Sequence, residues 1–225
     1  TLGMPRAEWL AERETTIGSS DVGAILGISG YDTPLDIYNT KKGLKPAFEG
    51  NDNTEWGTEL EDFCAKMMMK KEVDLFVWNH KDDVLDGSSP HRVQRDHKIR
   101  GNKDYPWATC NIDRLIVGGG NPIILELKTT TSYAVKGWDA AVPTTYFAQV
   151  QWQMFVSGYR KAIIWVAILD TKKFLRLNID YLPEFVAAAL EEVQKFVDAL
   201  QSNDPSGLRV MLPDIEKMRA APGAR

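Results

Sequence analysis

The chain has 225 residues, 44% of them hydrophobic and 26% charged, with a formal net charge of −4. This is an ordinary globular composition; the longest apolar run, IIWVAIL at 163–169, is far too short to span a bilayer, and the acidic balance excludes a simple basic nucleic-acid binder acting through its total charge. Two cysteines, Cys64 and Cys110, supply neither a disulfide framework nor a zinc site, and the opening TLGMPRAEWLAERE lacks a cationic stretch followed by an apolar core, so a reduced, cytoplasmic protein without a secretory signal is expected.

PRAEWLAERE (5–14) reads as a short helix opened by a proline. TIGSSDVGAILG (16–27) reads as a turn and then a helix capped by Ser19 or Ser20 and stopped near Gly27, and TPLDIYNTKKG (33–43) as another short helix ending at Gly43. In TEWGTELEDFCAKMMMK (54–70), Trp56, Leu60, Phe63 and Met67 recur at helical spacing and predict an amphipathic helix with those four as its core stripe. The period then changes. VDLFV (73–77), NIDRLIV (111–117) and NPIILELK (121–128) read as strands, the last two joined by GGG (118–120) as a hairpin. Between them, five basic residues (Arg92, Arg95, Lys98, Arg100, Lys103) stand against one acid, Asp96, as either a solvated face or a local positive patch. VPTTYFAQVQWQMFVSG (142–158) is a helix with Pro143 near its start and Gly158 at its end. KAIIWVAIL (161–169) reads as a buried strand, FLRLNID (174–180) as its antiparallel neighbour, and PEFVAAALEEVQKFVDAL (183–200) as a closing helix. Helices, a small central sheet and further helices predict one α/β domain with a mixed sheet, followed from about 203 by a tail or packing arm.

Chemistry concentrates in the middle. Glu126 and Lys128 alternate onto one side of their strand, and a hairpin brings Asp113 towards Glu126 at one end of the sheet. Two such carboxylates repel unless a cation lies between them, and oxygen ligands of this kind suit Mg²⁺ or Mn²⁺. A lysine at the same edge can orient or deprotonate an attacking water, or steady a pentacovalent phosphate. An exposed cross-strand ion pair explains Glu-x-Lys equally well; the apolar strand and the upstream aspartate are what raise the signal.

Gly57 and Glu61 lie one turn apart, on a strip away from the expected core stripe that also holds Cys64. A helical glycine costs stability and fits either a ligand approaching the backbone or close helix packing. Tyr146 and Gln149 share a helix face. Gln149, Gln151 and Gln153 in one largely apolar helix need partners; a metal-bound water or a phosphate would serve, and a solvated stripe fits Gln151 or Gln153.

Taken together, W-G-x-x-x-E (56–61), I-D-R-L (112–115), L-E-L-K (125–128) and Y-F-A-Q-V-Q (146–151) resemble the phage lambda-type exonucleases, also described as YqaJ-type viral recombinases or alkaline exonucleases, of the PD-(D/E)xK nuclease superfamily. The likeness runs from about Trp9 to about Leu169 in the family's motif order. One departure is Ile112, where a proline usually precedes the motif aspartate. The resemblance implies a restriction-endonuclease-like α/β core over about 9–180, with a central mixed sheet flanked by helices, inside one nuclease domain spanning 1–225. It implies that Asp113 bridges two Mg²⁺ ions, with Mn²⁺ as a substitute, and that Glu126 and the Leu127 carbonyl complete one ion's shell. Lys128 becomes the catalytic lysine, Glu61 supports the second ion or its water, and Gln149 holds the nucleophilic water or the scissile phosphate with Tyr146 beside it. His91 and His97 match no motif.

By itself, Arg13 ahead of a helix carrying Ser19 and Ser20 is either a capped helix with a surface arginine or an anion site. The resemblance matches Arg13 and Ser20 to a pocket for the 5′-phosphate of a DNA end. It further implies 5′→3′ digestion of double-stranded DNA ends to 5′-mononucleotides, a ring-shaped homotrimer and a single-strand annealing partner. Two other readings stay open: a PD-(D/E)xK nuclease without end preference, and a catalytically inactive DNA-end-binding protein.

Overall fold

The computed structural model describes residues 13–46, 48–79, 81, 82, 84, 85, 87–96 and 98–208. The helix expected at 5–14 lies outside them except for its helical end at 13–15, and His97 and most of the expected tail lie outside them as well. Five helices are followed in detail: α1 (Ser19–Ile25), α2 (Pro34–Lys41), α3 (Asp52–Lys71), α4 (Thr144–Ser157) and α5 (Pro183–Ser202). The strands are β1 (Trp78–Asn79), β2 (Val84–Leu85), β3 (Arg92–Arg95), β4 (Arg100–Gly101), β5 (Thr109–Cys110), β6 (Arg114–Val117), β7 (Ile123–Thr130), β8 (Lys161–Ile168) and β9 (Lys173–Asp180).

The main sheet has five strands in the order β3-β6-β7-β8-β9. All its pairs are antiparallel except β7 with β8, which are parallel and joined through α4, so the sheet is mixed as expected. β8 is buried on both sides, and alternation sorts its side chains. Ala162, Ile164 and Val166 join the core beneath α1, α4 and α5. Ile163, Trp165 and Ala167 face a second core beneath α3. Fully burying an apolar side chain of this size stabilises by roughly 1.5–3 kcal/mol, so this strand anchors both layers.

The same alternation on β7 sends Leu125 and Leu127 to the α3 layer, and Ile124 to the α4 layer. Glu126 and Lys128 therefore face α4. The β6–β7 ladder pairs Arg114 with Leu125 and goes no further, whereas β7 continues against β8 to Thr130. Residues 126–130 thus have one open edge, which is where Asp113 stands.

Three sequence expectations are corrected. VDLFV (73–77) is not a strand. The chain leaves α3 in a turn in which the Glu72 carbonyl accepts from Leu75 N and Phe76 N (3.0 Å each), burying Phe76 and leaving Val73 exposed. The stripe expected on α3 is rotated: Trp56 and Phe63 are 65% and 51% exposed, and the helix packs through Cys64, Ala65 and Met68, with Leu60 and Met67 partly buried. Gly57 faces Thr129 on β7, but a Cβ there would meet Thr129 Oγ1 only at an ordinary contact distance of 4.0 Å. The cap of α1 is Gly18, not Ser19 or Ser20, and its N–H donates to Asp21 Oδ2 (3.0 Å). The basic run supplies an unforeseen edge strand, β3, whose exposed Arg92 and Gln94 discourage further pairing.

The hairpin turn between β6 and β7 requires glycine. Gly118 has φ +106° and a Cβ there would meet the Pro90 carbonyl oxygen at 1.9 Å; Gly120 has φ +110° but open space around it. Gly120→Ala is expected to cost about 1–3 kcal/mol from backbone strain, and Gly118→Ala a further 1–3 kcal/mol or so from the clash. Urea unfolding of the two variants checks the order, and equal midpoints would contradict it.

Candidate active site

Asp113 lies at the bend before β6, and its Oδ2 accepts the Leu127 N–H at 2.9 Å. A side chain thus takes the place of the ladder partner that β6 stops providing, and the aspartate is fixed against β7 between Glu126 and Lys128. Lys128 Nζ donates to Glu126 Oε1 at 2.7 Å and lies 3.3 Å from Gln149 Oε1. Gln149 Nε2 donates to the same Glu126 oxygen at 2.6 Å. The ring of Tyr146 lies under the lysine, 4.9 Å from ammonium to centroid, and Trp138 packs edge-on against that ring.

The electrostatics follow from this crowding. Burial first, and the Glu126 charge second, push the Asp113 carboxyl up to about 7 against the opposing pull of Lys128 and the Leu127 N–H. Burial opposes the Lys128 charge, but Glu126 and Asp113 outweigh it and hold the amine well above the ordinary lysine range. Lys128 is therefore an ammonium here, suited to stabilising negative charge rather than to taking a proton from water. Burial pushes the thiols of Cys64 and Cys110 up, to about 11 and about 12, which makes both poor nucleophiles.

Glu61 bonds Arg114 rather than this group, although its charge still reaches Asp113. Arg114, which pairs with Leu125 and shares its α3-facing side, donates from Nη1 to Glu61 Oε2 (3.0 Å) and to the Asp113 carbonyl (2.7 Å), and from Nη2 to Asp62 Oδ1 (2.6 Å). Arg95 reaches Asp62 as well. Glu61 thus approaches Asp113 from the opposite layer of the sheet, through a buried guanidinium. Among the described residues, no group of three or more His, Cys, Asp or Glu side chains could hold a metal ion. Asp113 and Glu126 are hard oxygen donors whose mutual repulsion a divalent cation would relieve, so their chemistry fits Mg²⁺. The expected third carboxylate is engaged by Arg114.

Arg114 was not foreseen, and Gln153, singled out as a glutamine needing partners, was not assigned to the site. Gln153 lies one turn beyond Gln149, and its Nε2 donates to Glu126 Oε2 (2.8 Å) and to the Asn111 carbonyl (3.0 Å). Gln151, on the other face of α4, bonds the Asp180 carbonyl (2.7 Å) and the Leu182 N–H (2.8 Å). Both are fully buried, so the solvated stripe is excluded. The glutamine spacing signalled Gln153. A charged residue heading the apolar run RLIV signalled Arg114.

At the N-terminal cluster, Arg13 Nη2 donates to Ser20 Oγ (2.7 Å) and to Asp21 Oδ1 (3.1 Å), bringing together the two residues expected to hold an anion. Lys41, unforeseen and buried, pairs with Asp21 Oδ2 (2.9 Å) and donates to the carbonyls of Arg13 (2.8 Å) and Thr16 (2.6 Å). This segment packs on α4, where a Cβ on Gly23 would meet Thr145 at 2.9 Å, one residue before Tyr146. The cluster and the carboxylate site therefore border the same end of α4.

A mixed five-stranded sheet flanked by helices thus carries an aspartate, a glutamate and a lysine at the open edge of its central strand. The chain belongs to the YqaJ-like viral recombinase domain family, whose model matches residues 8–160. It is 36% identical over 187 residues to the uncharacterized protein YqaJ of Bacillus subtilis (strain 168), covering 81% of this chain and 52% of that protein. The chain thus spans about half the length of the curated relative it matches. Its fold is similar to that of an alkaline exonuclease, LHK-Exo, from Laribacter hongkongensis (TM-score 0.66, 17% identity, 88% of this chain and 93% of that one). It also matches LHK-Exo in complex with dAMP (TM-score 0.65, 16% identity, 88% and 93%). A phage-related exonuclease from Haemophilus somnus 129PT is similar too (TM-score 0.58, 18% identity, 84% and 96%). No described helix is long and apolar enough to cross a membrane.

The N-terminal cluster predicts a pH signature. Burial opposes the Asp21 charge, but Lys41 and then Arg13 outweigh it and hold the carboxyl below its ordinary 3.8. A depressed folded pKa contributes stability that is complete above 3.8 and lost as pH falls through the folded value. Asp21→Asn is expected to cost roughly 3 kcal/mol at neutral pH, where it removes the charge partner of the buried Lys41. Denaturant unfolding of both proteins from pH 7 down to pH 3 should show that gap shrinking at the acid end, and a pH-independent gap would contradict the assignment.

Proposed function

We propose that this chain is a Mg²⁺-dependent nuclease that digests duplex DNA from its 5′ ends, releases 5′-mononucleotides and leaves a 3′ single strand for recombination by annealing. One observation carries the reading: Asp113, Glu126, Lys128 and Gln149 converge on the open edge of β7. Membership of a viral recombinase family and a fold like that of two exonucleases support it. The dAMP in one of those structures is a nucleoside monophosphate, the class of product proposed here.

Asp113 and Glu126, with the Leu127 carbonyl, would hold Mg²⁺, for which Mn²⁺ substitutes. When bound, that cation would supply Lewis-acid chemistry for phosphodiester hydrolysis. Lys128 sets a positive charge against the phosphate and stabilises the negative charge that builds there. Tyr146 supports the lysine from below. Gln149, whose amide now bridges Glu126 and Lys128, positions water or a phosphate oxygen. A second ion, implied by the resemblance, would draw on Glu61, which Arg114 holds beside the Asp113 segment. Arg13 and Ser20 grip the 5′-phosphate, with Asp21 and Lys41 fixing their geometry. A ring of three chains and a single-strand annealing partner complete the proposal and rest on family resemblance alone.

Linear duplex labelled at one 5′ end tests enzyme, metal, polarity and product together. With Mg²⁺ the label should leave first, as a mononucleotide, and faster from phosphorylated than from hydroxyl ends; chelation should stop it, and closed circles should survive. Lys128→Ala should lower turnover by about 10²-fold or more while still binding ends. Nicking of closed circles would favour an endonuclease. Full activity in the lysine variant would remove its role.

A further inference from the structure

We infer that Gln153 is the positioning residue that sets the Asp113–Glu126 pair for a divalent cation, an inference that rests on the proposed function. The residue is 1% exposed, flanked by the buried Trp152 and Met154 of α4. The two protons of its Nε2 go to two different arms of the site. One reaches Glu126 Oε2 on β7, and the other reaches the carbonyl of Asn111, two residues before Asp113. A single rigid amide therefore spans the strand bearing one carboxylate and the segment bearing the other.

The orientation of that amide is fixed. Turned over, its oxygen would face two oxygens, one of them charged. As it stands, Oε1 is buried with no hydrogen-bond partner among the described residues. A buried carbonyl without a donor is a cost that leucine or methionine at this position would not carry. Stability of α4 alone gives no reason for a glutamine here, whereas orientation of the carboxylates does.

The bonds also divide the work of Glu126. Oε2 points inward to Gln153, and Oε1 points outward to Lys128 and Gln149. The inner bond prevents the carboxylate from turning, so one oxygen is presented to the site. Hydrogen bonds of this kind behind a metal-binding carboxylate typically change metal affinity by about 10–100-fold.

Gln151 provides a matched control. It too is buried on α4, but its bonds run to Asp180 and Leu182, away from the carboxylates. Isothermal titration of Mn²⁺ into the full chain, without DNA, should give a Kd for Gln153→Leu weaker by about 10–100-fold. Gln151→Leu should lower the melting temperature and leave the Mn²⁺ affinity at the wild-type value. Gln153→Met, unbranched and of similar length, serves if the leucine variant does not fold. Wild-type affinity in a folded Gln153 variant would overturn the inference while leaving the proposed function standing. Equal weakening in Gln151→Leu would reduce Gln153 to general support of α4 and overturn it as well. Wild-type protein that takes up no Mn²⁺ would contradict the proposed function, and this inference with it.

Discussion

Two like-charged carboxylates, Asp113 and Glu126, share the open edge of β7, and much of the surrounding structure answers the repulsion between them. Neither charge is comfortable in so crowded a site, and the aspartate shows it by a carboxyl pushed up to about 7. The compensation is local and specific. A backbone N–H from Leu127 holds Asp113, while an ammonium and two glutamine amides hold Glu126. Removing one partner of such a group leaves an uncompensated buried charge, which costs far more than the bond itself contributes.

That edge exists because three larger elements agree on it. The β6 ladder ends at Arg114, freeing the Leu127 N–H; β8 continues the pairing on the other side, so β7 stays straight and fixed. The connection between the two parallel strands lays α4 over the same stretch, and helical spacing puts Gln149 and Gln153 on one face above Glu126. From the opposite layer, α3 approaches closely enough through Gly57, Cys64 and Ala65 for Glu61 and Asp62 to meet Arg114. The N-terminal cluster is joined to this arrangement through Gly23 and Thr145, so the proposed anchor for a DNA end and the carboxylates border a common helix, α4.

The parts of this that could be read from the sequence were those written in short-range pattern. A glycine turn between two apolar runs gave the β6–β7 hairpin, and alternation put Glu126 and Lys128 on one side. What could not be read depended on tertiary contacts. The spacing of Trp56, Leu60, Phe63 and Met67 is a valid helical stripe, but the helix packs through the neighbouring face of Cys64, Ala65 and Met68. Arg92 and Arg95 look like a solvated run, yet an edge strand tolerates such charge and Arg95 finds Asp62 across the layers. The link between Arg114 and Glu61 joins residues 53 apart in sequence, and that between Lys41 and Asp21 joins two short helices, so no local pattern announces either. Gln153 was visible as an oddity, but its role depended on knowing that Glu126 and Asn111 lie beneath it.

The central claim is that the Asp113–Glu126 edge of β7 is the cation site. Paramagnetic broadening tests it directly: small amounts of Mn²⁺ are added to the ¹⁵N-labelled full chain without DNA, and backbone amide signals are followed. The account predicts that the Leu127 amide, which bonds Asp113, is lost first together with those of Asp113 and Lys128. A Leu127 signal that stays sharp while amides around the exposed acids Asp52 and Glu55 broaden would contradict it.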